Sequence, residues 1–109
     1  MGDHASGPDH MTPDEFRAAG RATVDWIADF LSGVAERPIM PDVAPGDVRA
    51  SLPASPPDIG EPFEVLLEDV DRLIAPAVTQ WQHPGFYGFF PADSSPPSIL
   101  GELVSAGLG

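Results

Sequence analysis

The sequence predicts a mainly α-helical chain, with three helices joined by proline-rich straps, that packs against a larger body. Three apolar stripes with helical spacing indicate the helices. The chain also holds 11 Gly and 14 Pro among its 109 residues, about twice the usual share. A chain of this length buries only about two thirds of its unfolded surface. We therefore expect an extension of a larger fold and not an independent domain.

The first helix is predicted to begin at the segment TPDEF, residues 12–16. The Thr12 hydroxyl can accept the free N–H of Glu15 while the Glu15 carboxylate reaches back, and Pro13 suits the first helical position. Two rows of apolar or small residues follow: Phe16, Gly20, Val24, Ile27, Leu31 and Val34, and beside them Ala19, Ala22, Trp26 and Phe30. A surface helix needs one such stripe, so we expect this helix to pack on two sides. The alternative is one large core behind a wide apolar face. We favour a partner as the second packing surface.

A proline-rich segment, residues 37–62, follows and is called the strap here. Its seven prolines are Pro38, Pro41, Pro45, Pro53, Pro56, Pro57 and Pro62. One helical turn is expected within it, at Gly46–Leu52. A connection this long with little structure of its own is typical of a segment that lies over another surface.

The second helix is predicted to begin at Pro62 and to end at Pro76. Its apolar positions keep the i, i+3, i+4, i+7 spacing: Phe63, Leu66, Leu67, Val70, Leu73 and Ile74. Glu68 and Arg72 are expected to pair on its exposed face, because residues four apart are neighbours on a helix surface.

The third helix is predicted to begin near Ser94 or Ser95, with Pro96 and Pro97 in its first turn. Its apolar stripe consists of Ile99, Leu100, Leu103 and Val104. The sequence then stops in an apolar, glycine-containing stretch, which favours a truncated or divided polypeptide.

The charge balance excludes some classes of partner. The formal net charge is −12, and the five basic residues are all Arg. Such a chain repels the phosphates of nucleic acids and of anionic lipids, so neither nucleic acid nor a membrane is expected as a partner. There is no Cys, no signal-peptide pattern and no apolar run near the roughly 18 residues that span a bilayer. These features favour a cytoplasmic protein.

No motif in the chain carries chemistry by itself. A glycine-rich phosphate loop, an HExxH pair and an Asp-rich calcium loop are all missing from the sequence. Residues 1–11 are predicted to form a disordered tail. His4 and His10 lie near acidic residues in that tail, but such a tail lacks the fixed geometry of a metal site, and no metal is expected.

The segment WQHPGFYGFFP, Trp81–Pro91, concentrates five of the chain's nine aromatic residues. One interpretation is a hydrophobic plug that packs into a neighbouring body, with Gly88 allowing close backbone approach. The other is the wall of a binding pocket, since aromatic rings offer a flat surface to a planar ligand. Composition alone favours the plug.

A family resemblance extends over residues 12–109. TPDEFRAAGRATVDWIADFLSGVAERPIMPDVAPGDVRASLP, followed by PFEVLLEDVDRLIAPAVTQWQHPGFYGFFPADSSPPSILGELVSAGLG, resembles the N-terminal segment of the group II pyridoxal-phosphate-dependent amino acid decarboxylases. These include the aromatic-L-amino-acid, tyrosine, histidine and glutamate decarboxylases. The group is distinguished by the order of four motifs: ERP, PGDVRASLP, W-x-HPGFYGFFP and SxLGELVSAGLG. This order identifies the family but gives little information about which amino acid is the substrate.

The resemblance implies an N-terminal helical extension of a fold-type I enzyme, which wraps around the partner subunit of a homodimer. It also implies that the aromatic segment lines the cleft for a small amino acid substrate, and it favours an aromatic one. The residues that would border the substrate side chain are Trp81, Phe89, Phe90, Pro91 and Ala92. Aromatic-amino-acid members often carry a hydroxyl residue at the position of Ala92, so this chain departs from them there.

The resemblance also implies what this chain does not supply. The cofactor, pyridoxal 5'-phosphate, requires a Lys and a phosphate cradle, and this sequence has no Lys. In such enzymes the lysine, aspartate and histidine of the active site lie further along, so no catalytic or cofactor-binding residue is expected here. Two alternatives remain open, namely an aldehyde-forming relative of the decarboxylases and an acidic helical protein-interaction module without catalysis.

Overall fold

The computed structural model describes residues 10–87 and 95–109, and these residues form helices and no strand. Most of the predicted tail, including His4, lies outside the described residues. The helices are α1 (Pro13–Gly33), α2 (Asp47–Ser51), α3 (Phe63–Asp69) and α4 (Pro96–Leu108), with 3₁₀ turns at Val34–Glu36 and Ala75–Ala77 and a π-helical turn at Val70–Ile74. The predicted mainly α-helical chain with proline-rich connections is confirmed.

Both long helices begin where the sequence predicts. At α1 the Thr12 hydroxyl accepts a hydrogen bond from the Glu15 N–H (3.1 Å), and the Thr12 N–H donates to the Glu15 carboxylate (2.8 Å). At α4 the Ser95 hydroxyl accepts from the Ser98 N–H (3.3 Å), and the Ser98 hydroxyl accepts from the Ser95 N–H (3.2 Å). Each reciprocal pair satisfies two N–H groups that a helix end leaves without partners.

The strap contains the expected helical turn, α2. Gly46 precedes it with a φ of 92°, a left-handed conformation that glycine adopts without steric penalty. The Asp47 carboxylate accepts a hydrogen bond from the Ala44 N–H at 2.7 Å. These contacts are local, so the turn depends on residues within the strap itself.

The second helix ends differently from the prediction. After α3 the backbone widens into the π-helical turn, in which the Ala75 N–H donates to the Val70 carbonyl, and Pro76 then lies within a 3₁₀ turn. The predicted pair of Glu68 with Arg72 is wrong, because the Arg72 guanidinium pairs with the Asp69 carboxylate at 3.1 Å. Residues three and four apart are both neighbours on a helix, and Arg72 takes the shorter acidic side chain. An exposed pair of this kind contributes little to stability.

One hydrogen bond joins α1 to the π-helical turn, and two aromatic contacts lie beside it. The Trp26 indole N–H donates to the Asp71 carboxylate at 2.8 Å. The Trp26 ring stacks on Phe30 with centroids 5.3 Å apart, and the Arg37 guanidinium lies over the Phe30 ring, 5.2 Å from its centre. A guanidinium over a ring face is a favourable cation–π contact. These contacts fix one side of α1 only.

The described residues enclose almost no core. Val34, Ala75 and Gln80 are the buried residues among them, and no residue of α1, α2, α3 or α4 is buried. The Cα radius of gyration is 16.6 Å, whereas a compact domain of this length has about 13 Å. No helix in the described part of the chain is long and apolar enough to cross a membrane.

Candidate functional site: the aromatic segment

Gln80 fixes the start of the aromatic segment. Its side chain is 3% exposed, the one buried polar residue among those described. The Gln80 side-chain amide donates to the carbonyls of Ala75 (2.8 Å) and Val78 (3.1 Å). These are the carbonyls left at the end of the second helix, so the side chain ties the segment to that helix. A buried carbonyl that loses its donor costs about 1–3 kcal/mol.

The strap holds Gln80 from the other side. The Gln80 backbone N–H donates to the Ile39 carbonyl at 2.9 Å. Gly85, five residues after Gln80, approaches the same part of the strap. A Cβ built on Gly85 would lie 3.1 Å from Ile39 Cδ1 and 3.2 Å from His83 Nδ1. The strap therefore contacts the aromatic segment at two points and leaves little space for a side chain at Gly85.

Two consecutive turns follow Gln80. The His83 N–H donates to the Gln80 carbonyl, and the Phe86 N–H donates to the His83 carbonyl, both at 3.0 Å. The Gly85 N–H also donates to His83 Nδ1 at 2.8 Å. A ring nitrogen that accepts a hydrogen bond carries no proton, so the neutral imidazole holds its proton on Nε2. Backbone and imidazole together fix the conformation between Gln80 and Phe86.

These turns bring two rings together. The Trp81 and Phe86 rings stack with centroids 5.6 Å apart and planes 17° from parallel, although they stand five residues apart. Trp81 is 47% exposed and Tyr87 is more exposed still. The result is a flat apolar surface, partly open to solvent, of the kind that suits a planar aromatic group.

The structure covers one of the five predicted substrate-binding residues. Trp81 lies within the described residues and forms part of the stacked pair. Phe89, Phe90, Pro91 and Ala92 lie outside the described residues, so their predicted roles stay predictions. Sequence analysis did not single out Gln80. The sequence feature that could have indicated Gln80 is its position, as a polar residue between the apolar end of a helix and an aromatic segment.

The described residues offer no site for a metal or an enclosed ligand away from this segment. Within residues 10–87 and 95–109, no three His, Cys, Asp or Glu side chains lie close enough to share a metal ion. An open groove of about 560 Å³ lies between α1 and α3, with Trp26, Asp71 and Arg72 among its lining residues. It is open to solvent, and four of its eight lining residues are acidic, so it does not resemble an enclosed pocket for an amino acid side chain.

Comparison with known proteins identifies the class. Residues 45–109 match the family described as "Pyridoxal-dependent decarboxylase conserved domain". The match covers more than half of the chain, and the helical fold agrees with it. The chain therefore belongs to the pyridoxal-dependent decarboxylase family, and pyridoxal 5'-phosphate is the cofactor of that family.

The chain is similar to several individual proteins of known activity or structure. The chain is 40% identical over 99 residues to the aromatic-L-amino-acid decarboxylase of Mus musculus. The alignment covers 91% of this chain and 21% of the relative. Its structure is similar to Rhodiola rosea 4-hydroxyphenylacetaldehyde synthase, with a TM-score of 0.85, 40% identity, and coverage of 90% of this chain and 21% of that one. It is also similar to Catharanthus roseus tryptophan decarboxylase in complex with L-tryptophan, with a TM-score of 0.83, 37% identity, and coverage of 90% and 20%. The chain thus spans about a fifth of the length of these relatives.

The residues present do not fit the cofactor. Covalent attachment of its aldehyde requires a side-chain amine, and the sequence has no Lys. Three of the five arginines are already engaged: Arg17 and Arg72 pair with carboxylates, and Arg37 lies over Phe30. No chemical step on the cofactor is therefore assigned to residues of this chain.

The 109-residue chain is expected to form no site-specific adduct with pyridoxal phosphate, because its only primary amine is the terminal one. The measurement is borohydride reduction of the mixture followed by peptide mapping. An Arg21→Lys variant, which adds one amine on α1, is the matched positive control for detection. A stoichiometric adduct on an internal residue of the unaltered chain would contradict the expectation.

Proposed function

We propose that this chain is part of a pyridoxal-phosphate-dependent amino acid decarboxylase, a carboxy-lyase, that acts on an aromatic L-amino acid in the cytoplasm. In this proposal the chain supplies a wall of the substrate pocket and part of a homodimer interface. The remaining part of the enzyme supplies the cofactor site and the bond-breaking chemistry. Membership of the family supports the reaction class, and the stacked pair of Trp81 and Phe86 is the observation that carries the pocket role.

The pocket wall acts by binding and orienting the substrate. A flat apolar surface favours an aromatic side chain, because burial of ring area removes apolar surface from water at about 25 cal/mol per Å². It also excludes water from the neighbourhood of the reacting carbon, which strengthens electrostatic interactions there. Trp81 supplies this surface within the described residues. Phe89, Phe90, Pro91 and Ala92 extend it in the proposal.

The dimer role rests on apolar surface that the described residues leave uncovered. On α1, Phe16 is 63% exposed and Val24 is 43% exposed. On α4, Leu103 and Val104 are exposed, and Leu108 is 85% exposed. Large apolar side chains left exposed along two helices are consistent with surfaces that another body covers. The rest of the enzyme and the partner subunit are the proposed covers.

An aldehyde-forming enzyme is the second candidate. The similarity to a 4-hydroxyphenylacetaldehyde synthase, at the same 40% identity as to the mouse decarboxylase, favours it specifically. Both reactions would use the same aromatic wall, because both release carbon dioxide from an amino acid of the same shape. An interaction module without catalysis would use the same exposed helices to bind a protein, and it would not turn over an aromatic amino acid.

One experiment separates these candidates. The full-length protein that contains this segment is purified with its cofactor and supplied with phenylalanine, tyrosine, tryptophan or glutamate. Carbon dioxide together with the amine indicates decarboxylation. Carbon dioxide with aldehyde, ammonia and hydrogen peroxide, formed as oxygen and water are consumed, indicates the aldehyde-forming reaction. Absence of turnover on every aromatic amino acid would contradict both enzyme candidates.

Substitution of Ala92 by threonine in that enzyme is expected to shift preference toward hydroxylated rings. A hydroxyl donor or acceptor beside the ring can pair with a ring hydroxyl, whereas an alanine methyl cannot. The measurement is the ratio of kcat/KM for tyrosine to that for phenylalanine, and an increase of about tenfold is expected for one hydrogen bond. Ala92→Val, which matches threonine in shape without the hydroxyl, is the control. An equal ratio in both variants would refute the idea.

A further inference from the structure

Gln80 stands apart from the residues that would touch a substrate. It is buried, while the neighbouring Trp81 is about half exposed. Its hydrogen bonds lead in three directions: to Ala75 and Val78 through the side chain, to Ile39 through the backbone N–H, and from His83 through the backbone carbonyl. The residue therefore joins the end of the second helix, the strap and the first turn of the aromatic segment.

The position of the stacked rings follows from this junction. Trp81 is the residue directly after Gln80, inside the turn closed by the bond from the His83 N–H to the Gln80 carbonyl. Phe86 ends the second turn, which His83 closes through its carbonyl and its imidazole. A rotation of Gln80 therefore moves Trp81 and, through His83, the turn that carries Phe86.

Gln80 adds a polar constraint to the packing of these two rings. Trp81 and Phe86 remain partly exposed, so the surrounding described residues do not enclose the pair. The side chain of Gln80 is the buried group that connects the pair to a helix. A glutamine side chain supplies two N–H donors from one nitrogen, which matches the two carbonyls that it contacts.

We propose that Gln80 is a positioning residue that sets how the Trp81–Phe86 pair meets an aromatic substrate, through its bonds to the second helix and to the strap. This rests on the proposed function, because it assumes that the pair borders the substrate. Gln80 does not touch the substrate itself. Its effect appears in substrate binding and not in the bond-breaking step.

The test uses the full-length, cofactor-loaded enzyme and the aromatic amino acid that it prefers among phenylalanine, tyrosine and tryptophan. Gln80→Met keeps the length of the side chain and removes both N–H donors. It is expected to raise KM at least about tenfold, because two hydrogen bonds are lost, and to change kcat less than twofold. Amide hydrogen exchange in the peptide that contains residues 80–87 is expected to become faster.

Two further variants separate positioning from loss of folded protein. Gln80→Glu places a carboxylate against two carbonyls, and protonation restores one O–H donor, so its KM is expected to fall toward the unaltered value as the pH is lowered. Val34→Ala removes volume from another buried position and donates to no atom of the turns. It is expected to lower the melting temperature and leave KM unchanged.

The outcomes distinguish this inference from the function on which it rests. An unchanged KM in Gln80→Met, with only kcat or the folded fraction reduced, overturns the inference and leaves the proposed function intact. An equal rise of KM in Val34→Ala, or a KM of Gln80→Glu that does not depend on pH beyond that of the unaltered enzyme, also overturns it. Failure of the unaltered enzyme to turn over any aromatic amino acid overturns the proposed function instead.

Discussion

Replacement of Trp81 by alanine in the full-length enzyme is expected to lower kcat/KM for aromatic amino acids by roughly 30- to 150-fold. Truncation of an aromatic anchor at a binding surface costs about 2–3 kcal/mol, and each 1.4 kcal/mol is about tenfold. The variant loses both the indole surface and the stack on Phe86. The visible absorbance of the bound cofactor is expected to persist, because no residue of this chain is assigned to the cofactor. Phe89→Ala is expected to act in the same direction.

Trp26, the other tryptophan of the chain, provides the matched control. It stacks on Phe30 and donates to Asp71, outside the aromatic segment. Trp26→Ala is therefore expected to reduce thermal stability while the relative kcat/KM values for phenylalanine, tyrosine, tryptophan and glutamate stay the same. If Trp81→Ala instead lowers kcat/KM equally for all four and loses the cofactor absorbance, the segment is a hydrophobic plug and the pocket interpretation is wrong.

Features that depend on near neighbours were predictable from the sequence. The caps at Thr12 and Ser95 involve residues three positions apart, and hydroxyl residues before a proline-led helix fulfil a local requirement. The turn at α2 follows in the same way from Gly46 and Asp47. In each case the sequence itself places donor and acceptor within reach, whatever the rest of the chain does.

Features that depend on distant neighbours were not predictable. Gln80 is buried because the strap passes over it at Ile39 and the helix ends beneath it at Ala75. No periodicity shows that two segments meet at that residue. The π-helical turn at Val70–Ile74 was not predictable either, because the apolar spacing of these residues suits an ordinary α-helix equally well. The predicted ion pair of Arg72 failed because its two candidate partners are nearly equivalent on a helix surface.

The proposed site, too, was only partly predictable from the sequence. The aromatic composition of Trp81–Pro91 was visible in the sequence, and it left the plug and the pocket wall as alternatives. The stacked pair is half exposed in this chain, as the rings of either a plug or a wall would be without the neighbouring body, so the Trp81→Ala experiment decides between the two. Family membership adds the reaction class, and it leaves the substrate to be determined by experiment.

A charge at Val24 is expected to weaken the proposed dimer strongly. Val24 belongs to the apolar stripe of α1 and is 43% exposed, so Val24→Asp does little to the contacts within this chain. In a dimer interface the introduced carboxylate would be buried without a partner, which costs several kcal/mol. We expect the dissociation constant of the full-length dimer to rise at least about 100-fold, equivalent to about 2.7 kcal/mol. Sedimentation velocity over a dilution series measures it.

Ala18→Asp is the control away from the apolar stripe. Ala18 is exposed and lies about 120° around the helix from Val24 at 3.6 residues per turn, on the polar strip that includes Arg21 and Asp25, so the same charge is introduced on a different face of α1. The control is expected to leave the dissociation constant within about twofold of the unaltered enzyme. Equal weakening by both substitutions would point to net charge or helix stability as the cause. An unchanged dimer in Val24→Asp would show that this stripe of α1 faces solvent in the assembled enzyme.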